Sequence, residues 1–164
     1  MARISTKQIT PFLWFDNDAE EAARFYASVF KDSKILAITR YTEAGKELHR
    51  RPPGSVMTVQ FRIAGQQFTA LNGGPVFKFS PAVSFVVSCR TQKEIDYYWK
   101  TLAKGGQEVE CGWLTDKYGL SWQIVPEQLI AMFADKERAP RVMVAMLRMK
   151  KLDIAALKKA YAGR

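Results

Sequence analysis

Ile9-Thr-Pro-Phe-Leu-Trp-Phe15 is a short aromatic run that meets an acidic cluster, Asp16-Asn17-Asp18, and then a segment of different period, Ala19 to Phe30. The run suits a buried strand, with Pro11 near its start, where a missing ladder donor is tolerated. The cluster can cap a helix by accepting its orphan backbone N–H groups. Beyond it, Ala22, Ala23, Phe25, Tyr26, Val29 and Phe30 recur at helical spacing, leaving Glu20, Glu21 and Arg24 for solvent. Glu20 and Glu21 also lie near the positive end of the helix dipole.

Three strand candidates extend this opening. Lys34 to Tyr41 carries Ile35, Leu36 and Ile38. Val56 to Ile63 alternates, with Met57, Val59, Phe61 and Ile63 against Thr58, Gln60 and Arg62. Ala64-Gly65 then turns the chain into Gln67 to Leu71. The polar stretch Thr42 to Ser55 holds Gly45, Pro52, Pro53 and Gly54 and reads as a mobile loop.

The same order then recurs. Asn72-Gly-Gly-Pro75 and Ser80-Pro81 bracket a loop containing Phe77 and Phe79. Val83 to Cys89 is a strand with Val83, Phe85 and Val87 on one face and Ser84 and Ser88 on the other. Thr91-Gln-Lys-Glu94 matches a capping box. The helix behind it buries Ile95, Tyr98, Trp99 and Leu102 and stops at Gly105-Gly106. Short strands are expected around Glu108 to Trp113. A turn at Asp116-Lys-Tyr-Gly119 leads to a last strand, Leu120 to Val125. Residues from about 127 to 161 read as two or three helices, with Asp153 capping the last.

With 164 residues, 48% of them apolar, the chain can bury a real core and is neither disordered nor collagen-like. No apolar run approaches a membrane span. Met1-Ala-Arg-Ile-Ser-Thr-Lys7 lacks the apolar core of a signal peptide, so a cytoplasmic location is expected. Cys89 and Cys111 then read as buried free thiols. Lys and Arg total 25 against 16 Asp and Glu, a formal charge of +9. Much of the excess, Arg138, Arg141, Arg148, Lys150, Lys151, Lys158, Lys159 and Arg164, lies in the last stretch. Helix-turn-helix, zinc-finger and RNA-binding signatures are absent, so a solvated basic tail is expected and nucleic acid is not.

Several of these stretches resemble the vicinal oxygen chelate superfamily of glyoxalases and bleomycin-resistance proteins. They are Ile9-Thr-Pro-Phe-Leu-Trp-Phe-Asp16 with Ala19-Glu-Glu-Ala22 and Phe25-Tyr26, then Leu71-Asn-Gly-Gly-Pro75, then Cys111-Gly-Trp-Leu-Thr-Asp-Lys-Tyr-Gly-Leu-Ser-Trp-Gln-Ile-Val-Pro126. Within the superfamily the chain is similar to the PhnB-like branch, often labelled 3-demethylubiquinone-9 3-methyltransferase. The resemblance implies an α+β fold of two βαβββ modules, about 7–73 and 82–125, whose curved mixed sheets form a cup. That domain would span 7–126, with a helical C-terminal extension over 127–164, in a homodimer. One face of each sheet would pack under helices, Val83, Phe85, Leu120, Trp122 and Ile124 among its residues. The other would put Ser84, Ser121 and Gln123 in the pocket, unless the serines simply face water.

The resemblance also places metal-ligand positions near Pro11, Asn72, Ser84 and Gln123. Proline has no ligand atom, and Ser and Asn are weak neutral ligands, so no metal is expected. The single histidine, His49, lies in the Pro-rich loop and reads as solvent-exposed. A Rossmann-type S-adenosylmethionine site needs a glycine-rich strand-to-helix turn, and neither Asn72-Gly-Gly-Pro75 nor Gly105-Gly106 has that context. No cofactor is expected. The reading that remains is a small, partly apolar or aromatic molecule held in a metal-free cavity by Trp14, Asn72, Phe77, Phe79, Ser84, Trp113, Asp116, Tyr118 and Gln123. Some of these aromatics, Trp14 above all, could instead be core. Asp116 could anchor a turn or act as a base. Two other functions stay open: the methyltransferase of the family label, and an interaction module using the basic tail.

Overall fold

In the computed structural model, which describes residues 9–164, the opening aromatic run forms strand β1 (Phe12–Phe15) and leads into helix α1 (Ala19–Val29). The expected module start at residue 7 and the reading of Met1 to Lys7 lie outside the described residues. β2 (Lys34–Arg40), a one-turn helix α2 (Lys46–His49), β3 (Val56–Ile63) and β4 (Gln66–Asn72) follow. The sheet order is β1-β4-β3-β2, with β1 and β4 parallel and the other pairs antiparallel. A parallel pair cannot be joined by a tight turn, and here the intervening chain supplies α1. These elements form one compact unit, ending at Lys78.

The helical period of α1 turns Ala19, Ala22, Ala23 and Tyr26 onto the sheet, all with no exposure. They meet the alternating residues Val59 and Phe61 of β3 and Ala70 of β4, which are equally buried. The Tyr26 ring stacks on Phe61 at 6.3 Å, and Phe61 stacks on Phe68 at 5.5 Å. The expected cap is not made. Asp18 occupies the N-cap with φ −99° and ψ 10°, outside the extended conformation that aims a cap side chain at the helix amides, and its side chain bonds none of them. Asn72 takes the role from the end of β4, its Oδ1 accepting from Ala19 N at 2.8 Å.

The second unit runs Phe79–Arg164. It contains β5 (Ser84–Cys89), α3 (Gln92–Leu102), β6 (Gln107–Glu108), β7 (Trp113–Thr115) and β8 (Ser121–Pro126), in the order β5-β8-β7-β6 with β5 and β8 parallel. The capping box forms: Thr91 Oγ1 accepts from Glu94 N, and Glu94 Oε2 accepts from Thr91 N, each at 3.2 Å. Ile95 and Leu102 of α3 are fully buried, as is Ile124 of β8. Val83 departs from expectation. Pairing begins at Ser84, so Val83 precedes the sheet and is 66% exposed.

The expected strands around 108–113 are also interrupted. Cys111 (φ 62°) and Gly112 (φ 82°) make a left-handed turn, and a Cβ on Gly112 would stand 2.8 Å from the Ile124 carbonyl oxygen. The amides of this turn leave the sheet: Cys111 N donates to Met149 O and Gly112 N to Lys150 O, both at 2.7 Å. That links the sheet to the three C-terminal helices, α4 (Gln128–Ala134), α5 (Ala139–Met146) and α6 (Ile154–Tyr161). Their own core is Leu129, Met132, Val142, Leu152 and Leu157, with Val125 of β8 packed against it. Gln92 adds a second link, donating to Leu152 O and accepting from Ile154 N. Asp153 caps α6 by accepting from Ala156 N at 2.9 Å. Among the described residues no helix is long and apolar enough to cross a membrane.

Replacing fully buried Leu157 with alanine should cost about 2–5 kcal/mol, whereas exposed Lys158→Ala should change stability by no more than about 0.5 kcal/mol. Urea unfolding followed by circular dichroism measures both.

Candidate functional site

One helix covers one face of each sheet, and the strand period of two presents the alternate residues on the other face. In the second unit that open face brings three of the expected residues together. Trp113 and Gln123 are register partners across β7 and β8. Gln123 Nε2 donates to Ser84 Oγ on the neighbouring β5 at 2.9 Å. All three are half-buried. Ser121, opposite Ser84 in the register, lies on the same face, and its buried Oγ has no hydrogen-bond partner among the described residues. The group is neutral, with an aromatic ring at one side and hydroxyl and amide groups at the other.

Asp116 and Tyr118 belong to the turn that enters β8. Asp116 is 2% exposed, and its carboxylate serves the framework. Oδ1 accepts from Tyr118 N at 2.9 Å and from Leu120 N at 3.1 Å, and Oδ2 accepts from Trp122 Nε1 at 2.8 Å. The indole that holds it lies on the helix-covered face. Tyr118 is half-buried beneath the Lys117 ammonium, 4.8 Å from its ring centre. Phe79 is half-buried ahead of β5.

In the first unit the open face carries Phe12, Trp14, Thr69 and Leu71, paired two by two across β1 and β4. Trp14 is half-buried, with Nε1 bonded to Gly74 O at 2.8 Å and Phe77 edge-on to its ring at 5.0 Å. Gly73 lies against that ring: a Cβ there would stand 2.2 Å from the indole. Asn72 falls in the opposite register and faces α1. Its side chain joins three elements, accepting from Ala19 N and donating to Val56 O at 3.0 Å.

A cleft of about 340 Å³ adjoins Asn72, lined also by Asn17, Glu20, Tyr41, Arg51, Pro52, Ser55 and Val56. Apart from Asn72, none of these residues stood out in the sequence. The only hint was an arginine set in the Pro-Pro-Gly loop. That loop is pinned, contrary to the mobile segment expected. Arg51 NH1 donates to Asn17 Oδ1 at 2.7 Å and NH2 to Asp16 O at 3.0 Å, while Gly54 N donates to Tyr41 O and Tyr41 N to Ser55 O. His49 is half-buried, not solvent-exposed as expected. Its ring lies 4.6 Å from that of Tyr41, and its Nδ1 accepts from Arg51 N at 3.0 Å.

The residues on the open faces do not suit a divalent metal ion. Phe12, Trp14, Thr69, Leu71, Ser84, Trp113, Ser121 and Gln123 supply no carboxylate or imidazole. The described residues also contain no group of three or more His, Cys, Asp or Glu placed to hold one. A dinucleotide-type site for S-adenosylmethionine fits no better. Asn72-Gly-Gly-Pro75 leaves β4 into a loop, and Gly105-Gly106 follows a helix.

Two units of this topology, each with one sheet face free of its crossover helix, give the chain a fold of the vicinal oxygen chelate type. The chain belongs to the 3-demethylubiquinone-9 3-methyltransferase family, whose model matches residues 7–125. A solved structure of the PhnB protein from Bacillus cereus, a proposed 3-demethylubiquinone-9 3-methyltransferase, is 38% identical, with 73% of this chain and 98% of that one covered at a TM-score of 0.65. A Pseudomonas aeruginosa protein shares the fold at 18% identity, covering 73% of this chain and 97% of that one, with a TM-score of 0.58. The fosfomycin resistance protein FosX from Mesorhizobium loti shares it at 14% identity, 82% and 99% coverage and a TM-score of 0.53. Comparison with curated proteins returns no match.

Asp116→Asn should lower stability by about 1.5–3 kcal/mol, because an amide group then faces donors that a carboxylate satisfied. Thermal unfolding monitored by calorimetry reads the loss. Burial pushes the Cys89 thiol up to about 12, with Glu94 and Glu127 adding to the shift. The folded protein therefore keeps this proton above the ordinary thiol value of 9.0, where the unfolded chain releases it, so stability should fall as pH rises from 9 to 12. Cys89→Ala should flatten that part of the stability profile. At pH ~8, iodoacetamide should modify half-buried Cys111 and spare buried Cys89 until the protein is unfolded.

Proposed function

We propose that the protein binds a small, partly apolar or aromatic molecule on its open sheet faces without a metal ion. The observation that carries this reading is the neutral group Trp113, Gln123 and Ser84 on the second sheet. Ser84 Oγ accepts from Gln123, which leaves its own proton for a ligand acceptor. The Gln123 carbonyl oxygen is left for a ligand donor. The Trp113 ring offers area for a flat molecule. Trp14 and Phe77 provide a second aromatic surface in the first unit, and Phe79 and Tyr118 add aromatic area in the second. Asn72 and Asp116 act in this reading through the framework, one holding the start of α1 and the other the turn into β8.

A second reading, methyl transfer to a quinone-type acceptor, is favoured by the description of the family. Calorimetry separates the two. A short-chain benzoquinone without an isoprenoid tail should bind, and Gln123→Leu should weaken it about fivefold, the value of one lost hydrogen bond. S-adenosylmethionine should give no heat at high protein concentration. Heat from S-adenosylmethionine, with methylation of a hydroxyquinone, would favour the second reading. Absence of quinone binding would remove the first.

We also propose that two copies associate, since each sheet leaves edge strands, β1 and β2 in one and β5 and β6 in the other. Light scattering at micromolar concentration should return twice the 18.6 kDa chain mass, and a monomeric mass would refute the proposal. A location in the cytoplasm is part of the same reading.

A further inference from the structure

The cleft beside α1 has a composition unlike the open faces. Its volume, about 340 Å³, is at the lower end of the range of small-molecule sites. Pro52, Val56 and the Tyr41 ring supply apolar wall, and the Tyr41 hydroxyl is spent on Asn72 O at 2.7 Å. The charged groups of the lining with capacity left are Arg51 and Glu20. The Arg51 side chain is only 17% exposed. Its NH1 and NH2 are anchored on Asn17 and Asp16, while its Nε–H has no acceptor among the described residues. Glu20 uses a single oxygen, Oε1, for both bonds from Arg24, at 2.9 and 2.7 Å, and Oε2 takes none among the described residues.

The charges decide which molecule suits this wall. Arg51 stands 3.6 Å from Asp16, and Glu20 is paired with Arg24 at 2.7 Å. The four formal charges cancel. An anion drawn to the guanidinium would meet two carboxylates, and a cation drawn to Glu20 would meet two guanidinium groups. A neutral molecule meets neither penalty. It also uses both unspent groups if it carries an acceptor for Arg51 and a donor for Glu20.

We infer that the Arg51–Glu20 cleft is a binding site for a small, neutral, planar molecule that carries a carbonyl oxygen beside an N–H or O–H donor. The carbonyl accepts from Arg51, the donor reaches Glu20, and the apolar body lies against Pro52, Val56 and Tyr41. The site is formed within the first unit alone and stands whether or not the open faces bind a ligand.

Benzamide, benzoate and benzamidine share one ring and differ in charge, so they test the assignment directly. Titrated into the nitrogen-15-labelled full chain, benzamide should saturably shift the amides of Ser55 and Val56 and the Arg51 Nε–H signal. It should bind at least fivefold tighter than either charged probe. Glu20→Gln removes one negative charge and keeps an acceptor, so it should raise the affinity of benzoate relative to benzamide at least fivefold. Val56→Phe fills the cleft and should abolish the shifts while the rest of the spectrum stays dispersed. The inference is overturned if none of the probes moves these signals, if either charged probe binds tighter than benzamide, or if Glu20→Gln leaves the ratio unchanged.

Discussion

Parallel pairing of the first and last strands of each unit, β1 with β4 and β5 with β8, is the constraint from which the other features follow. Parallel neighbours need a long connection, and a helix within that connection comes back across the sheet. Each unit holds one such helix, so one face of each sheet is sealed by it, while the other is left partly open, with Thr69 and Ser121 buried on it. The sealed faces carry the aromatic and aliphatic core around Tyr26, Phe61, Ile95 and Ile124. The open faces carry Trp14, Ser84, Trp113 and Gln123 for the same reason, since alternate residues of the same strands must point the other way.

Two buried polar side chains close the places where this scheme leaves backbone groups unpaired. Asn72 reaches from β4 to the first amide of α1 and to the carbonyl of Val56, doing what Asp18 cannot do with its backbone conformation. Asp116 gathers two amides and an indole N–H where the chain turns into β8. A carboxylate or amide in such a position resembles a functional group in sequence, because either role needs a polar side chain near the end of a strand. Only the direction of the side chain separates the two. For Asn72 that direction rests on a single residue of register.

The βαβββ order was legible because it rests on local signals: the alternation in Val56 to Ile63, the helical period after Ala19, the capping box at Thr91 and Glu94. That Ser84, Ser121 and Gln123 share a face also followed from alternation once the strands were placed. The Arg51–Glu20 cleft did not. Its lining comes from α1, the ends of β3 and β4, and a loop whose Pro and Gly content suggests mobility. The loop is held by hydrogen bonds from Arg51 to residues 34 and 35 positions away, and no local pattern reports such bonds. The partial burial of His49 is non-local in the same way, since its ring packs on that of Tyr41.

The sequence by itself determined the order of elements and the alternation of residues along β3, β5 and β8. Those properties depend on residue identity and on periods of two or 3.6, which any single segment carries. The tertiary structure decided which side chain caps α1, which carboxylate anchors a turn, and where an arginine and a glutamate meet around a cleft. Each of these depends on segments far apart in the chain reaching within a few ångströms of one another, and that distance is a property of the packed fold alone.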